Sequence, residues 1–364
     1  MSTASGFRTR TPVKQEFILN RVRSDIVDGR LSPGDQLPTR QALEQEFQVS
    51  SATLQKALDQ LIRDGFIYAK GSMGTFVSER LPFTTNYGLV FPTIDRPANP
   101  WNRFWAALKN EADRIGQSRD QAGRSMPVYF GDEGHADGKE YKRLLKHIRD
   151  HRLAGLIFVS PVKMYRGTPL LDTPDLPRVS IASEASDGVP AIRLKDMHAK
   201  ALDYLQSRGC KKVALLTGAS AVANGELQIQ WTQGAAARGM TVRPDWVQGL
   251  DIRFPQTAQN LVQLLMRGSA EDRPDGLLIG DDNLVEYATA GLIDSGVKVP
   301  SEIEVVAHCN FPWPTPSVLP IKRLGYDVRE CLKECIAAID KQRNKETLAP
   351  IVIPARLEEE VRLD

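Results

Sequence analysis

The stretch LSPGDQLPTRQALEQEFQVSSATLQKALDQLIRDGFIYAKGSMGTFV, from Leu31 to Val77, decides the fold of the first part of this chain. We predict one helix from Thr39 to Phe47 and a second from Ser51 to Asp64, because apolar residues recur in both at helical spacing. Three residues separate the helices, and Gly65 is placed to end the second one. The predicted apolar stripe of the second helix consists of Leu54, Leu58, Leu61 and Ile62.

A further helix and two strands flank this helix pair. Ile18, Val22 and Ile26 recur every four residues ahead of it, which predicts a helix. After it, Phe66 to Ala69 and Thr75 to Val77 are predicted strands joined by a glycine-containing turn. Two short helices joined by a tight turn place the second one where the major groove of DNA accepts it. The pattern therefore predicts a winged helix-turn-helix that binds double-stranded DNA.

The same residues resemble the GntR family of bacterial regulators, and we assign residues 1–80 to this domain. The resemblance is carried by Leu31-x-Pro-Gly-x-x-Leu-Pro, Val49-Ser50-x-x-Thr53, Ala57-Leu58-x-x-Leu61, Gly65 and Gly74-Thr75-Phe76-Val77. In that family the start of the second helix and the wing contact DNA. The contacts that the resemblance implies are Arg40, Gln41, Ser50, Ser51, Thr53, Gln55, Lys56, Lys70, Ser72, Met73 and Gly74. The family usually has Arg at the positions of Gln41, Ser51 and Gln55, and this wing has one extra residue.

The charge of this domain bears on how it binds DNA. Residues 1–80 contain eleven Lys and Arg against nine Asp and Glu. Neutralising phosphates dominates DNA affinity, so a weakly basic domain needs grouped cations and a partner subunit. We expect Arg40, Lys56 and Lys70 to contact phosphates, and we expect a homodimer, formed through the rest of the chain, that binds a near-palindromic operator.

The composition of the whole chain excludes several classes of protein. Its 364 residues carry a formal charge of +2 and suggest two or three domains. No window approaches the roughly 18 apolar residues of a membrane span, and Met1 to Arg10 lacks the apolar core of a signal peptide, so we expect a cytoplasmic location and no membrane partner. The cysteines do not suggest a disulfide framework. Cys331 and Cys335 lie one helical turn apart, where packing is favoured over a metal site, and no cofactor is indicated.

The pattern changes after a predicted linker at residues 81–86, where Pro82 interrupts it. From Tyr87 onward, short apolar runs alternate with amphipathic helical segments, which is typical of an α/β fold with parallel sheets. The predicted strands are Tyr87 to Phe91, Pro127 to Phe130, Leu156 to Val159, Arg178 to Ile181, Val213 to Leu216, Gly276 to Ile279 and Ile303 to Val306. The predicted helices include Phe104 to Ile115, Glu140 to Arg149, His198 to Arg208 and Leu284 to Ser295.

Two irregular stretches predict that these strands form two lobes. Ser183 to Gly188 and Phe311 to Pro316 are interpreted as crossovers between the lobes. Lobe 1 is then expected at about 87–185 and 313–342, and lobe 2 at about 186–310 and 346–364. Ligands of such sheets bind in the crevice at the carboxyl ends of the strands.

Residues 87–364 resemble the effector-binding domain of the LacI/GalR repressors, which is similar to periplasmic binding proteins. The matching stretches are Tyr87 to Pro92, Asn99-Pro100-Trp101, Leu153 to Ile157, Gly209 to Ala214, Gly280-Asp281-Asp282 and Val299-Pro300-x-x-Ile303-x-Val305-Val306. A GntR-type domain fused to this domain is similar in architecture to the arabinose repressors. The resemblance implies a ligand-controlled transcriptional regulator, with repression as the expected output.

By the same resemblance, a small effector lies in the cleft between the lobes. The implied contacts are Asn99, Trp101, Ser160, Trp231, Asp282 and Asn310. Their chemistry suits a sugar, because an indole covers the apolar face of a pyranose while carboxylates and amides take its hydroxyls. Two alternatives stay open: Trp231 as helix core, and Asp282 as a helix N-cap with Asp281 as the rival cap.

Two other functions compete with regulation. Some GntR domains are fused to pyridoxal-phosphate aminotransferase-like domains, but no segment here fits such a domain or its Schiff-base lysine. A solute-binding protein of a transport system would have a signal peptide and no DNA-binding domain. The five histidines are scattered, and no nucleophile or metal-ligand motif occurs, so we predict no catalytic residues, no metal and no enzyme activity.

Overall fold

The computed structural model describes residues 13–92, 102–118, 123–131 and 138–362. These residues form an N-terminal domain (residues 13–80), a short connector and a C-terminal domain with two lobes. Within the described ranges, no helix has both the length and the apolar character needed to cross a membrane.

The N-terminal domain contains three helices and a two-stranded antiparallel wing. Its elements are α1 (Val13–Val27), α2 (Arg40–Phe47), α3 (Ser51–Arg63), β1 (Ile67–Ala69) and β2 (Thr75–Val77). The core joins Ile18, Val22 and Ile26 of α1 to Leu54, Leu58 and Leu61 of α3. The prediction that Ile62 belongs to this core is wrong, since Ile62 is 38% exposed while Ala57 is fully buried. Positions 54, 57, 58 and 61 form one helical stripe, and position 62 lies beyond its edge.

The connector between the N-terminal and C-terminal domains is a single helical turn. It forms α4 (Pro82–Thr85). Leu81 and Pro82 are buried, and Leu81 is part of the core of the N-terminal domain. The hydroxyl of Thr84 donates to the carbonyl of Leu81 at 2.8 Å, which closes the turn. The two domains are thus joined by an ordered segment.

The C-terminal domain alternates strands and helices through both lobes. The elements of lobe 1 are β3 (Tyr87–Phe91), α5 (Arg103–Gln117), β4 (Val128–Phe130), α6 (Lys139–Arg149), β5 (Gly155–Phe158), α7 (Pro169–Asp172), β6 (Arg178–Ile181) and β7 (Ala191–Lys195). Those of lobe 2 are α8 (Met197–Ser207), β8 (Val213–Gly218), α9 (Ala219–Val222), α10 (Glu226–Ala236), β9 (Val247–Leu250), α11 (Thr257–Leu265), β10 (Gly276–Ile279), α12 (Val285–Asp294), β11 (Glu304–Phe311) and β12 (Lys322–Asp327). The chain then returns to lobe 1 as α13 (Val328–Arg343) and β13 (Ile351–Pro354), and it enters lobe 2 again as β14 (Arg356–Leu357).

Each lobe is built on one largely parallel sheet. In the described residues, the sheet of lobe 1 has the order β13-β7-β6-β5-β3-β4, and that of lobe 2 has the order β14-β12-β11-β10-β8-β9. All pairings are parallel except that of β12 with β14. The central strands are buried on both faces, which explains their continuous apolar character.

The predicted positions of the crossovers are wrong. The segment from Ser183 to Gly188 turns back within lobe 1 and leads into β7, so the first crossover follows Lys195. The segment from Phe311 to Pro316 stays in lobe 2 and leads into β12, so residues 313–327 belong to lobe 2 and the second crossover lies at Asp327. Residues 351–354 pair with β7 in lobe 1, not lobe 2. Strands β7 and β12 contain charged residues, which hide them from a search for apolar runs.

Substitution of Gly291 tests the packing of two helices in lobe 2, and substitution of Gly116 in lobe 1 serves as the control. Gly291 of α12 lies against α11, where an added Cβ would come within 2.5 Å of the carbonyl oxygen of Gln259. We expect Gly291→Ala to lower the free energy of unfolding by about 1–3 kcal/mol through overpacking. Gly116 of α5 has open space around it, so Gly116→Ala should be neutral or stabilising by about 0.5–1 kcal/mol. Urea unfolding of both variants checks this, and equal effects would contradict the close helix crossing.

Candidate DNA-binding surface and effector cleft

The turn between α2 and α3 is fixed by side-chain caps. Thr39 accepts a hydrogen bond from the backbone N–H of Ala42 at 3.3 Å, which caps α2. Ser50 accepts one from the N–H of Thr53 at 3.4 Å, which caps α3. Between them, Gln48 takes a left-handed conformation with φ of 49° and ends α2. These caps set the angle between the helices and leave the first turn of α3 facing outward.

The residues predicted to contact DNA are accessible. Arg40, Gln41, Ser50, Ser51, Lys56, Lys70, Ser72 and Met73 are exposed, and Thr53, Gln55 and Gly74 are partly exposed. The amide of Gln55 donates to the carboxylate of Asp59 one turn along α3, at 2.6 Å. This contact orients the amide on the helix surface, where it can meet a base edge.

The wing is held by a residue that the sequence reasoning missed. Gln36, in the loop between α1 and α2, donates its side-chain N–H to the carbonyl of Met73 at 2.8 Å. Gly74 has φ of 111°, and a Cβ there would lie 2.7 Å from the amide nitrogen of Gln36. The only sequence signal for Gln36 is its place inside the Pro-Gly-x-x-Leu-Pro motif. Residues 34–37 run antiparallel beside β2, so the wing tip is held by the segment that precedes α2.

Polar side chains gather at the carboxyl ends of β10 and β11 in lobe 2. Asn310 donates its amide N–H to the carboxylate of Asp282 at 2.5 Å, and both side chains are buried. The Nδ1 atom of His308 lies 3.9 Å from the same carboxylate. Burial raises the pKa of Asp282, and His308 opposes that shift. The structure thus brings together two of the residues predicted to bind an effector.

A second contact at this edge joins the two lobes. The backbone N–H of Arg103, in the first turn of α5, donates to the side-chain oxygen of Asn283 at 3.0 Å. The guanidinium of Arg103 also lies 3.3 Å from the carboxylate of Glu286 on α12. Asn283 itself is oriented by Asp281, which accepts from its backbone and side-chain N–H groups. Asn283 was not predicted, although it directly follows two acidic residues after a buried strand.

The remaining residues predicted to contact an effector lie in different parts of the structure. Asn99 and Trp101 lie outside the described residues. Ser160 follows β5 in lobe 1, with its hydroxyl 3.8 Å from the sulfur of Met164. Trp231 is 1% exposed and packs against His198 of α8, which agrees with the alternative that it is helix core. Asp282 caps no helix, because α12 starts at Val285 without a side-chain cap.

The cysteines are packed in the interior. Cys210, Cys309, Cys331 and Cys335 are free and buried. Burial raises the pKa of each thiol, to about 12 for Cys210 and Cys309. Among the described residues, no group of three or more His, Cys, Asp or Glu side chains is arranged to hold a metal ion.

Comparison with known proteins connects both regions to described families. Residues 14–77 match the profile of the bacterial regulatory proteins of the gntR family, and residues 202–358 match that of a periplasmic binding protein-like domain. The arabinose metabolism transcriptional repressor of Halalkalibacterium halodurans is 22% identical over 94% of this chain and 95% of its own length. A mannosyl-D-glycerate transport/metabolism system repressor of Escherichia coli is 44% identical over 62 residues, 17% of this chain and 26% of that protein.

A solved structure gives the fold of the C-terminal domain. A LacI family transcriptional regulator from Lactobacillus casei, solved with bound glucose, superposes with a TM-score of 0.53 at 19% identity. The match covers 76% of this chain and 98% of that one. The chain joins a GntR-type DNA-binding domain to a periplasmic binding protein-like domain. The predicted α/β architecture of this regulator is confirmed.

Two substitutions on α3 of the regulator separate phosphate contact from base readout. Lys56→Ala should weaken binding to all DNA sequences and lower the salt slope by about one unit, if Lys56 contacts a phosphate. Gln55→Arg should instead change the preferred base at one position of each half-site, because arginine selects guanine. A binding selection and salt titrations measure both effects, with Lys163→Ala on the C-terminal domain as the control. An unchanged preference for Gln55→Arg would show that another face of α3 reads the bases.

The buried His198 predicts a pH dependence of stability. Burial, with a smaller effect of His308, lowers the pKa of His198 from 6.5 to about 4. Between these two values the unfolded chain takes up a proton that the folded chain refuses, so stability falls as the pH falls. From pH 7 to pH 5 the free energy of unfolding should fall in the wild type by on the order of 1 kcal/mol more than it falls in the His198→Asn variant. Urea unfolding at both pH values checks this. The exposed His151, replaced by Asn, is the control, and parallel curves for wild type and His198→Asn would contradict the assignment.

Proposed function

We propose that this regulator is a cytoplasmic repressor whose affinity for its operator is controlled by a small carbohydrate bound between the two lobes. The observation that carries the proposal is the joining of a winged helix-turn-helix to a cleft whose edge holds buried carboxylate and amide groups. The name of a relative that matches 94% of this chain supports it, because that protein is an arabinose metabolism transcriptional repressor. Catalysis is not part of the proposal.

The chemistry of the cleft supports a polyhydroxylated ligand. Asp282 and Asn310 offer acceptors and donors that hydroxyl groups can share, and a mismatched isomer would leave buried polar groups unpaired. Asn283 and Arg103 already join the lobes at this edge. A ligand that contacts both lobes would favour closure, and it can shift the protein only by its difference in affinity for the open and closed forms. The glucose-bound LacI-type structure shows that this fold accepts a sugar in another protein.

A homodimer is part of the proposal. One domain with a small excess of positive charge binds a specific site weakly, whereas a two-fold dimer reads paired half-sites. Light scattering on the free chain and on its complex with operator DNA tests this, and a monomer in both would exclude it.

Thermal-shift screening against pentoses, hexoses and disaccharides tests the effector. A sugar that binds the folded state should raise Tm with the logarithm of its concentration. Asp282→Asn should abolish that shift, and Asn283→Ala should weaken the sugar about five- to tenfold through loss of one hydrogen bond between the lobes. Operator affinity without sugar should stay within about twofold, as the coupling requires.

The exposed acid Asp245, replaced by Asn, is the matched control in lobe 2 and should keep the full shift. Wild-type shifts in Asp282→Asn would show that the cleft is assigned wrongly. Loss of operator binding in the absence of sugar would show that Asp282 is structural. If no sugar raises Tm, the carbohydrate is wrong, and the operator selection still tests DNA binding.

A further inference from the structure

Four charged side chains meet where the N-terminal domain rests on lobe 1. We call them the charge ring: Arg23 of α1, Asp64 at the end of α3, and Asp150 and Arg152 just after α6. The guanidinium of Arg23 lies 2.5 Å from Asp64 and 3.2 Å from Asp150. That of Arg152 lies 3.1 Å from Asp64. Each domain supplies one positive and one negative group, and two of the three contacts cross the boundary between domains.

The ring is enclosed. The side chains of Arg23, Asp64 and Asp150 are 3%, 2% and 7% exposed, and that of Arg152 is 23% exposed. Charges in such surroundings are strongly penalised unless they are paired, so the loss of any one of these ion pairs is costly. Because each domain supplies one charge of each sign, Arg23–Asp150 and Arg152–Asp64 attach the N-terminal domain to lobe 1 at two points. The ring therefore specifies a geometry as well as a contact.

On the side of the N-terminal domain, the ring holds the DNA-reading helix. Asp64 is the C-cap residue of α3, and Gln60 of the same helix donates to its carboxylate at 2.8 Å. The guanidinium of Arg23 also lies over the ring of Phe66, 5.6 Å from its centre. The far end of α3 carries Ser51, where DNA contacts are predicted. One end of this helix is thus tied to lobe 1 while the other faces the groove.

On the side of lobe 1, the ring is anchored to the sheet. Arg152 donates to Nε2 of His147 at 3.0 Å, and Nδ1 of His147 lies 2.6 Å from the hydroxyl of Tyr129 in β4. Arginine can only donate, so Nε2 accepts and Nδ1 carries the proton. Burial and Arg152 lower the pKa of His147 to about 4, which keeps this arrangement at neutral pH. The carbonyl of Arg152 also accepts from Asn86, next to the connector.

We propose that the charge ring locks the N-terminal domain onto lobe 1 as one rigid body, so that the position of lobe 1 sets the tilt of α3. In a dimer the ring then fixes the distance between the two DNA-reading helices. The ordered connector acts in the same direction, because Leu81 and Pro82 are buried. The lock itself is independent of the proposed function, whereas its effect on DNA rests on it.

Distance measurements on the full-length chain test the lock. Spin labels on Gln45→Cys in α2 and Lys163→Cys in lobe 1 report the separation of the two bodies, because both positions are exposed and the four native cysteines are buried. Labelled chain is diluted with unlabelled chain to suppress distances between subunits. The wild-type distribution should be narrow. Arg152→Met and Asp150→Asn should each broaden it about twofold or more, because each removes one of the two ion pairs that cross the boundary between the domains.

Arg143→Met is the matched control. Arg143 lies on α6 and stacks on Tyr129, with its guanidinium 4.8 Å from the ring centre, but it is not part of the charge ring. The distribution of spin-label distances in this variant should stay as narrow as in the wild type. A broad distribution in the wild type, or an unchanged narrow one in both ring variants, would overturn the proposal.

Operator spacing tests the consequence for DNA. After selection of an operator, insertion of three base pairs between its half-sites should weaken wild-type binding by about tenfold, because a rigid dimer reads one spacing. The ring variants should lose less than about threefold and keep their affinity for the original operator. Equal sensitivity to spacing in wild type and variants would overturn the inference. If the full-length chain binds no DNA, the proposed function fails, and the distance measurement still decides the lock.

Discussion

The chain crosses between the two lobes three times, and the arrangement of the C-terminal domain depends on these crossings. They follow Lys195, Asp327 and Pro354, where a strand of one lobe is succeeded by an element of the other. Three neighbouring covalent links leave the lobes free to open and close about those links, and they resist sliding or twisting. The carboxyl ends of both parallel sheets face the resulting cleft, which is why Asp282 and Asn310 meet there.

Central strands and helix caps were predictable because their causes are local. β3 and β10 begin and end where their apolar runs do, since strands covered on both faces contain little but apolar residues. Ser50 caps α3 because a hydroxyl just before a helix accepts from its first free N–H groups. β7 and β12 escaped prediction because their charged residues resemble loops, and the crossovers were misplaced for the same reason.

The site was predictable only in part. The proximity of Asp282 and Asn310 was predictable because the carboxyl ends of parallel strands meet at one edge of the sheet, and their contact with an effector stays a prediction. Trp231 was assigned to the cleft by resemblance, whereas its indole fills the space between α8 and α10. Asn283 and the charge ring depend on partners far away in the sequence. Arg23 and Asp150 are 127 positions apart in the sequence, and no local pattern indicates that they pair.

The discontinuous build of lobe 1 determines the order in which the chain can acquire structure during synthesis. The N-terminal domain and nearly all of lobe 2 are continuous segments, so each can fold soon after it leaves the ribosome. Lobe 1 cannot, because its core includes Cys335 and Ile339 of α13, and its sheet needs β13. Until then the earlier part of lobe 1 exposes the apolar residues of β5 and β6 that α13 later covers. A nascent chain of this protein therefore holds a folded DNA-binding domain long before it has a completed cleft.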